Sequence, residues 1–204
     1  PGNVQDDDSG CLTREFRPGE TCAGEPEPGS DPETYDPLRA LIASLDALEG
    51  QDFYPAIAEV VDMDHYLSAW AVEAYADHWD GYNYQIVNNY RFYRDPGTDL
   101  WSQVPSGLDQ TFVDGDPQIN LWGPTGRIAV RCMQDVECKA AFAAKLAEVV
   151  TRAEALDLPA RAATYRDRLR PLLVINTGRG PSLGDFDNSQ AALQPWLTAR
   201  PEQI

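Results

Sequence analysis

From Leu38 onward the apolar positions fall at helical steps. Leu38, Leu41, Ile42, Leu45 and Leu48 recur every three or four residues, and Gly50 supplies a stop, so a first helix is predicted here. A second is predicted over Tyr54–Val60. Asp62 is placed to cap a third, whose stripe of Tyr66, Leu67, Trp70, Ala71, Ala74 and Tyr75 is expected to face the core. The period then changes. Two aromatic-rich runs, Asn89–Arg94 and Leu100–Val104, read as strands, and Asp95-Pro96-Gly97-Thr98-Asp99 between them has turn chemistry, which predicts a hairpin. Residues 113–130 are rich in Gly, Pro and Asp and read as a long surface loop. The last third is helical again. Asp135 is placed to cap a helix with Phe142, Leu146, Val149 and Val150 on one face, and Pro159 opens another bearing Tyr165, Leu169, Leu172 and Leu173. After a Gly-rich break at 178–184, Asp187 is the expected cap of a final helix with Leu193, Trp196 and Leu197, which Pro195 must kink or begin. The expected fold is mainly α with a small β-hairpin, without internal repeats.

Residues 1–37 differ in kind. Asp6-Asp7-Asp8 and Glu25-Pro26-Glu27-Pro28-Gly29 typify a Pro-, Gly- and acid-rich segment that cannot bury enough apolar surface to fold alone, and it reads as a linker or the edge of another domain, with at most a short strand at Leu12–Phe16. The remaining 38–204 are long enough for one domain with its own core. A net charge of −17 argues against a nucleic-acid partner, which requires a basic footprint. No apolar run reaches the roughly 20 residues of a membrane span. The chain begins at Pro1 without methionine or signal peptide, as a processed or trimmed chain would. Cys11, Cys22, Cys132 and Cys138 form two local pairs whose gaps do not suit the knuckles of a zinc site. Two disulfides, Cys11–Cys22 and Cys132–Cys138, imply an oxidising, extracytoplasmic setting; four unrelated buried thiols are the alternative.

The chemistry-bearing residues gather around the hairpin. His78-Trp79-Asp80-Gly81-Tyr82 follows the third helix, the amides Asn88 and Asn89 enter the first strand, and Asp109 leaves the second. Taken alone, Asp before Gly is ordinary turn chemistry. In sequence order, however, a loop carboxylate, an amide and a second carboxylate are what phosphoryl transfer uses to orient a hydroxyl and hold magnesium.

These residues and their surroundings resemble the CotH kinase family, the spore-coat CotH-like proteins with an atypical protein-kinase fold. Phe53–Tyr75 is similar to that family's helix pair, and His78–Tyr82 to its W-D-G-Y loop. Asn89-Tyr90-Arg91-Phe92-Tyr93-Arg94-Asp95-Pro96 is similar to its N-Y-Y-L-Y-x-D-P strand, and Gln103–Phe112 to its I-P-W-D-L-D-x-T-F segment. Arg131–Leu146 and Phe186–Arg200 resemble its closing helices. The resemblance implies the C-lobe of a kinase-like fold that uses ATP and Mg2+ to phosphorylate Ser or Thr of secreted or surface proteins. Asp80 would be the base. Asn89, or less readily Asn88, and Asp109 would bind the metal. Three departures stand against this. Ser106-Gly107-Leu108-Asp109 replaces W-D-L-D and so drops one carboxylate. Asp80 and Asn89 are nine positions apart, longer than the kinase H-R-D-x-x-x-x-N spacing, with Tyr84–Val87 inserted. The residues before Leu38 are too few for an N-lobe with its phosphate-clamping lysine, while Lys139 and Lys145 fall on a late helix, so the chain by itself is expected to be inactive. The other function class is a non-catalytic surface binding or adhesion protein, a pseudokinase on the same fold.

Lesser candidates are Arg127 and Arg131 as phosphate contacts and Asp114-Gly115-Asp116 as a calcium loop, although the latter lacks the spaced ligands and distal Glu of an EF-hand. Tyr90, Phe92 and Trp101 are expected to pack, and His65 to lie at the surface.

Overall fold

A computed structural model describes residues 3–5, 36–48, 52–84, 89–112, 119–175 and 182–204. In chain order the elements are β1 (Asn3–Gln5), α1 (Asp36–Ala47), α2 (Phe53–Ile57), α3 (Met63–Ala76), β2 (Tyr90–Arg94), β3 (Trp101–Pro105), a 3-10 turn at Leu108–Gln110, α4 (Arg127–Gln134), α5 (Val136–Ala155), α6 (Leu158–Ile175) and α7 (Leu183–Gln203). The fold is thus mainly α with a small antiparallel sheet.

The third helix is the axis of the molecule. Asp62 accepts a hydrogen bond from the His65 amide at 3.0 Å and caps α3, so one free N–H of the first turn is satisfied. Tyr66, Leu67, Trp70, Ala71 and Ala74 are buried, as the helical period predicts. One side of α3 packs on α5, where Trp70 stacks on Phe142 with centroids 3.7 Å apart, and the other side packs on β3. Asp135 caps α5 from a buried position, accepting from the amides of Glu137 and Cys138, both at 2.9 Å, and of Tyr54 at 3.1 Å. The Cys132–Cys138 disulfide spans the α4–α5 junction. Its expected counterpart, Cys11–Cys22, lies outside the described residues, as do Leu12–Phe16.

The strands β2 and β3 form the expected hairpin, with Tyr90 opposite Pro105 and Phe92 opposite Gln103. Alternation places Tyr90 and Phe92 inside and Arg91 outside, and the three aromatics Tyr82, Tyr90 and Phe92 pack with ring centroids 4.9–5.8 Å apart. Asp95 shapes the turn by accepting from the amides of Gly97 and Thr98. The strand β1 adds to the free edge of β2, making the order β1-β2-β3.

Four expectations need correction. The second helix runs only to Ile57, because Val60 and Asp62 leave helical geometry to exchange backbone hydrogen bonds with Trp101 and cover the edge of β3. The loop expected over 113–130 ends earlier, since Arg127–Gln134 is helical. The last helix begins at Leu183 under a capping box of Ser182 and Asp185, whereas Asp187 forms a bidentate pair with Arg170, both contacts 2.8 Å. Both Pro195 and Pro201 lie inside that helix. The α6 stripe, finally, is not core: Tyr165, Leu169 and Leu172 are about half exposed or more, because α6 packs chiefly against α7.

Candidate functional site

The site begins where α3 stops. Asp77 takes the left-handed conformation (φ 57°), its amide bonds to the Ala74 carbonyl, and the His78 amide bonds to Glu73 at 2.9 Å. This is the Schellman ending, with Asp where Gly is usual. Carbonyls of the last turn also accept from distant sequence. Buried Arg200 of α7 donates Nε to Tyr75 (2.8 Å) and a terminal nitrogen to Ala74 (2.6 Å), and the Phe112 amide donates to Ala76 (2.7 Å). Burial lowers the Arg200 pKa, opposed by the Asp77 carboxylate. The Asp77 side chain accepts from the Ile119 amide at 3.2 Å. The chain therefore leaves α3 in a direction held from three sides.

The loop that follows is buried. His78 is wholly inside, and Asp80 is 5 % exposed. The Asp80 carboxylate is engaged at both oxygens: Oδ1 lies 3.2 Å from His78 Nε2, and Oδ2 accepts from Asn89 Nδ2. Asn89 stands at the entry to β2 with φ 50°, and its carbonyl accepts from Ser106 at 2.8 Å, which zips the two sides of the hairpin's open end. An ionised carboxylate only accepts, so the pairing with Asp80 fixes the Asn89 amide with its nitrogen toward Asp80 and its oxygen turned away. Gly107, at φ 59°, leaves the room that this amide fills: a Cβ there would overlap the Asn89 amide carbon and oxygen.

Beneath the loop lies a buried polar network. Glu73, 1 % exposed, accepts from Asn83 Nδ2 at 2.7 Å and Gln103 Nε2 at 2.8 Å, and its Oε1 is 3.6 Å from His78 Nδ1. The Tyr66 hydroxyl donates to Asn83 Oδ1 at 2.6 Å, and burial lifts the Tyr66 pKa well above the ordinary phenol value. Burial alone would lower the His78 pKa, but Glu73 and Asp80 together with the Gly107 carbonyl reverse the sign and raise it. Neither His78 contact to a carboxylate is an aligned hydrogen bond.

The structure thus joins Asp80 to Asn89. Asp109 is the middle residue of the 3-10 turn that follows β3 and is exposed; no contact joins it to Asp80 or Asn89 among the described residues. Asn88 and Asp114–Asp116 lie outside those residues. Among the described residues, no three His, Cys, Asp or Glu side chains are grouped to hold a metal by themselves, and no helix is long and apolar enough to cross a membrane. Arg127 and Arg131 are structural rather than phosphate contacts: buried Arg127 pairs with Asp46, and Arg131 donates to the Leu48 carbonyl. Sequence reasoning passed over Glu73, Asn83, Gln103 and Arg200. Only Glu73 carried a signal, as a carboxylate inside the apolar stripe of α3.

The comparisons with known proteins bear on this geometry. No curated protein matches the chain. The family model described as CotH kinase protein matches residues 19–204, which takes in α1 through α7, the Asp80 loop, the hairpin and the 3-10 turn. The chain belongs to the CotH kinase family.

Proposed function

We propose that this chain is the base- and metal-bearing lobe of an exported protein kinase that transfers the ATP γ-phosphate to Ser or Thr of secreted or surface proteins. The observation that carries the reading is the Asp80–Asn89 pair. A buried loop carboxylate, hydrogen-bonded to Asn89 at Oδ2 and set 3.2 Å from the His78 ring at Oδ1, is suited to accept the proton of an acceptor hydroxyl, because it is oriented before the reaction. The donor set fits magnesium: the Asn89 amide oxygen and the Asp109 carboxylate are hard ligands, and Mg2+ in nucleotide sites takes few protein ligands and completes its shell with water and phosphate oxygens. When bound, that ion would neutralise charge on the transferring phosphates. The two lysines of the chain serve elsewhere, Lys145 pairing with Asp64 at 2.6 Å and Lys139 lying over Trp122, so the lysine that clamps the nucleotide phosphates in kinases has no counterpart among the described residues. Under this reading that clamp comes from outside the described residues. Export is supported by the Cys132–Cys138 disulfide, which persists in oxidising compartments.

A second reading, a pseudokinase that uses the fold for surface binding or adhesion, is favoured by one feature. Gly107 stands where the family carries a carboxylate, and Asn89 fills the space that carboxylate would need. Calorimetric titration of the full-length protein with ATP separates the two. The kinase reading expects binding that requires Mg2+ and weakens about 10-fold or more in Asn89→Ala and Asp109→Ala, a loss of the order a missing charge-assisted contact produces. Absence of Mg2+-dependent ATP binding would leave the adhesion reading standing.

A further inference from the structure

The position of His78 has a purpose beyond filling the core. It is the one cationic-capable side chain set against both Glu73 and Asp80 among the described residues. Glu73 accepts a hydrogen bond from an amide group at each carboxyl oxygen, Asn83 at Oε2 and Gln103 at Oε1. A buried carboxylate requires a countercharge, and the imidazole Nδ1 is the nearest available. Gly81 makes this approach possible: a Cβ at that position would lie 2.7 Å from His78 Nδ1 and 3.0 Å from Glu73 Oε1. The same ring turns Nε2 toward Asp80 Oδ1, while the Gly107 carbonyl faces it from the exit of β3. His78 thus touches the end of α3, its own loop and the segment that receives the Asn89 amide.

We propose that His78 is a positioning residue for Asp80, kept as an imidazolium between the Glu73 and Asp80 carboxylates so that Asp80 is held at Oδ1 by the ring and at Oδ2 by Asn89. The role in catalysis rests on the reading of Asp80 as the base; the charge pairing does not. Without the imidazolium, Asp80 keeps only the Asn89 contact and is free to rotate out of line with an acceptor hydroxyl. The groups facing the ring are Glu73 from α3, Asp80 from the loop and the Gly107 carbonyl from the β3 exit.

The chain has two histidines, so long-range 1H–15N NMR reads the ring directly, with His65→Gln providing the assignment. The expected result is that both His78 nitrogens still carry protons at the ordinary imidazole value, about pH 6.5, and lose one only above it. Asp80→Asn, which keeps the shape of the loop, should lower the pH at which that proton is lost. A neutral His78 ring at that pH in the unmodified chain, or a ring whose titration ignores Asp80→Asn, would overturn the proposal, whether or not the protein is a kinase. In the full-length protein, His78→Gln should lower kcat roughly 100-fold, the scale of a misplaced catalytic group, with the KM for ATP within about twofold. Equal loss in kcat and thermal midpoint would mark His78 as a packing residue only. If the unmodified full-length protein transfers no phosphate, the kinase reading fails while the NMR result still decides the pairing.

Discussion

At Gly107 the backbone sits at φ 59° and the Asn89 amide occupies the volume a side chain would need. The family motif has a carboxylate at this place, and its loss reads in sequence as a simple subtraction of charge. The geometry gives it another meaning, since the small residue and the amide are complementary. Gly107→Ala should therefore destabilise the chain by about 1–2 kcal/mol from the left-handed backbone alone, measured by urea unfolding. Gly107→Asp, which restores the family residue, should displace Asn89 and weaken metal-dependent ATP binding rather than strengthen it. His78 supplies a pH dependence at the same scale. Its folded pKa lies above the unfolded value, so the folded state binds more protons between the two. The stabilisation is complete below about pH 6.5, the unfolded imidazole value, and is lost as pH rises through the raised folded value. The midpoint of urea unfolding should thus fall as pH is raised above about 6.5, and His78→Gln should flatten that slope; an unchanged slope would contradict the assignment.

Elements differ in how plainly the chain announces them. The third helix was legible because its period, its Asp62 cap and its aromatic stripe agree, and every residue of that stripe is buried. The hairpin was legible for the same reason, with alternation and turn chemistry pointing one way. The α6 stripe had the right period yet stays largely exposed, since periodicity states which residues share a face and not whether that face is buried. The start of α7 was missed although Ser182 stands three residues before Asp185, the spacing of a capping box. This contrast has a measurable consequence. Phe142→Ala removes the ring stacked on Trp70 and should cost about 3–5 kcal/mol, while Leu172→Ser on the exposed face of α6 should stay within about 0.5 kcal/mol. Thermal or chemical unfolding of the two variants makes the comparison, and a large loss at Leu172 would place α6 inside the core after all.

Across the whole molecule, the site depends on contacts that sequence order conceals. Arg200 reaches back 125 residues to the Tyr75 carbonyl, so the last helix fixes the point from which the Asp80 loop departs. Glu73, Asn83 and Gln103 meet from α3, the loop and β3, and of the three only Glu73, a carboxylate within an apolar stripe, stands out in the sequence. Asp80 and Asn89 were nameable from their order in the family motif, but their mutual hydrogen bond was not, because nine intervening residues do not state where a loop closes. These levels meet at one point, the proposed role of the buried Asp80 carboxylate as the base of a phosphoryl-transfer site. Its most direct test is transfer of labelled γ-phosphate from ATP to a Ser-rich acceptor, or to the protein itself, by the full-length protein with and without Mg2+. The predicted result is Mg2+-dependent transfer that falls by about 100-fold or more in Asp80→Asn, the contribution of a positioned general base. Transfer that persists unchanged in Asp80→Asn, or no transfer by the unmodified protein, would contradict it.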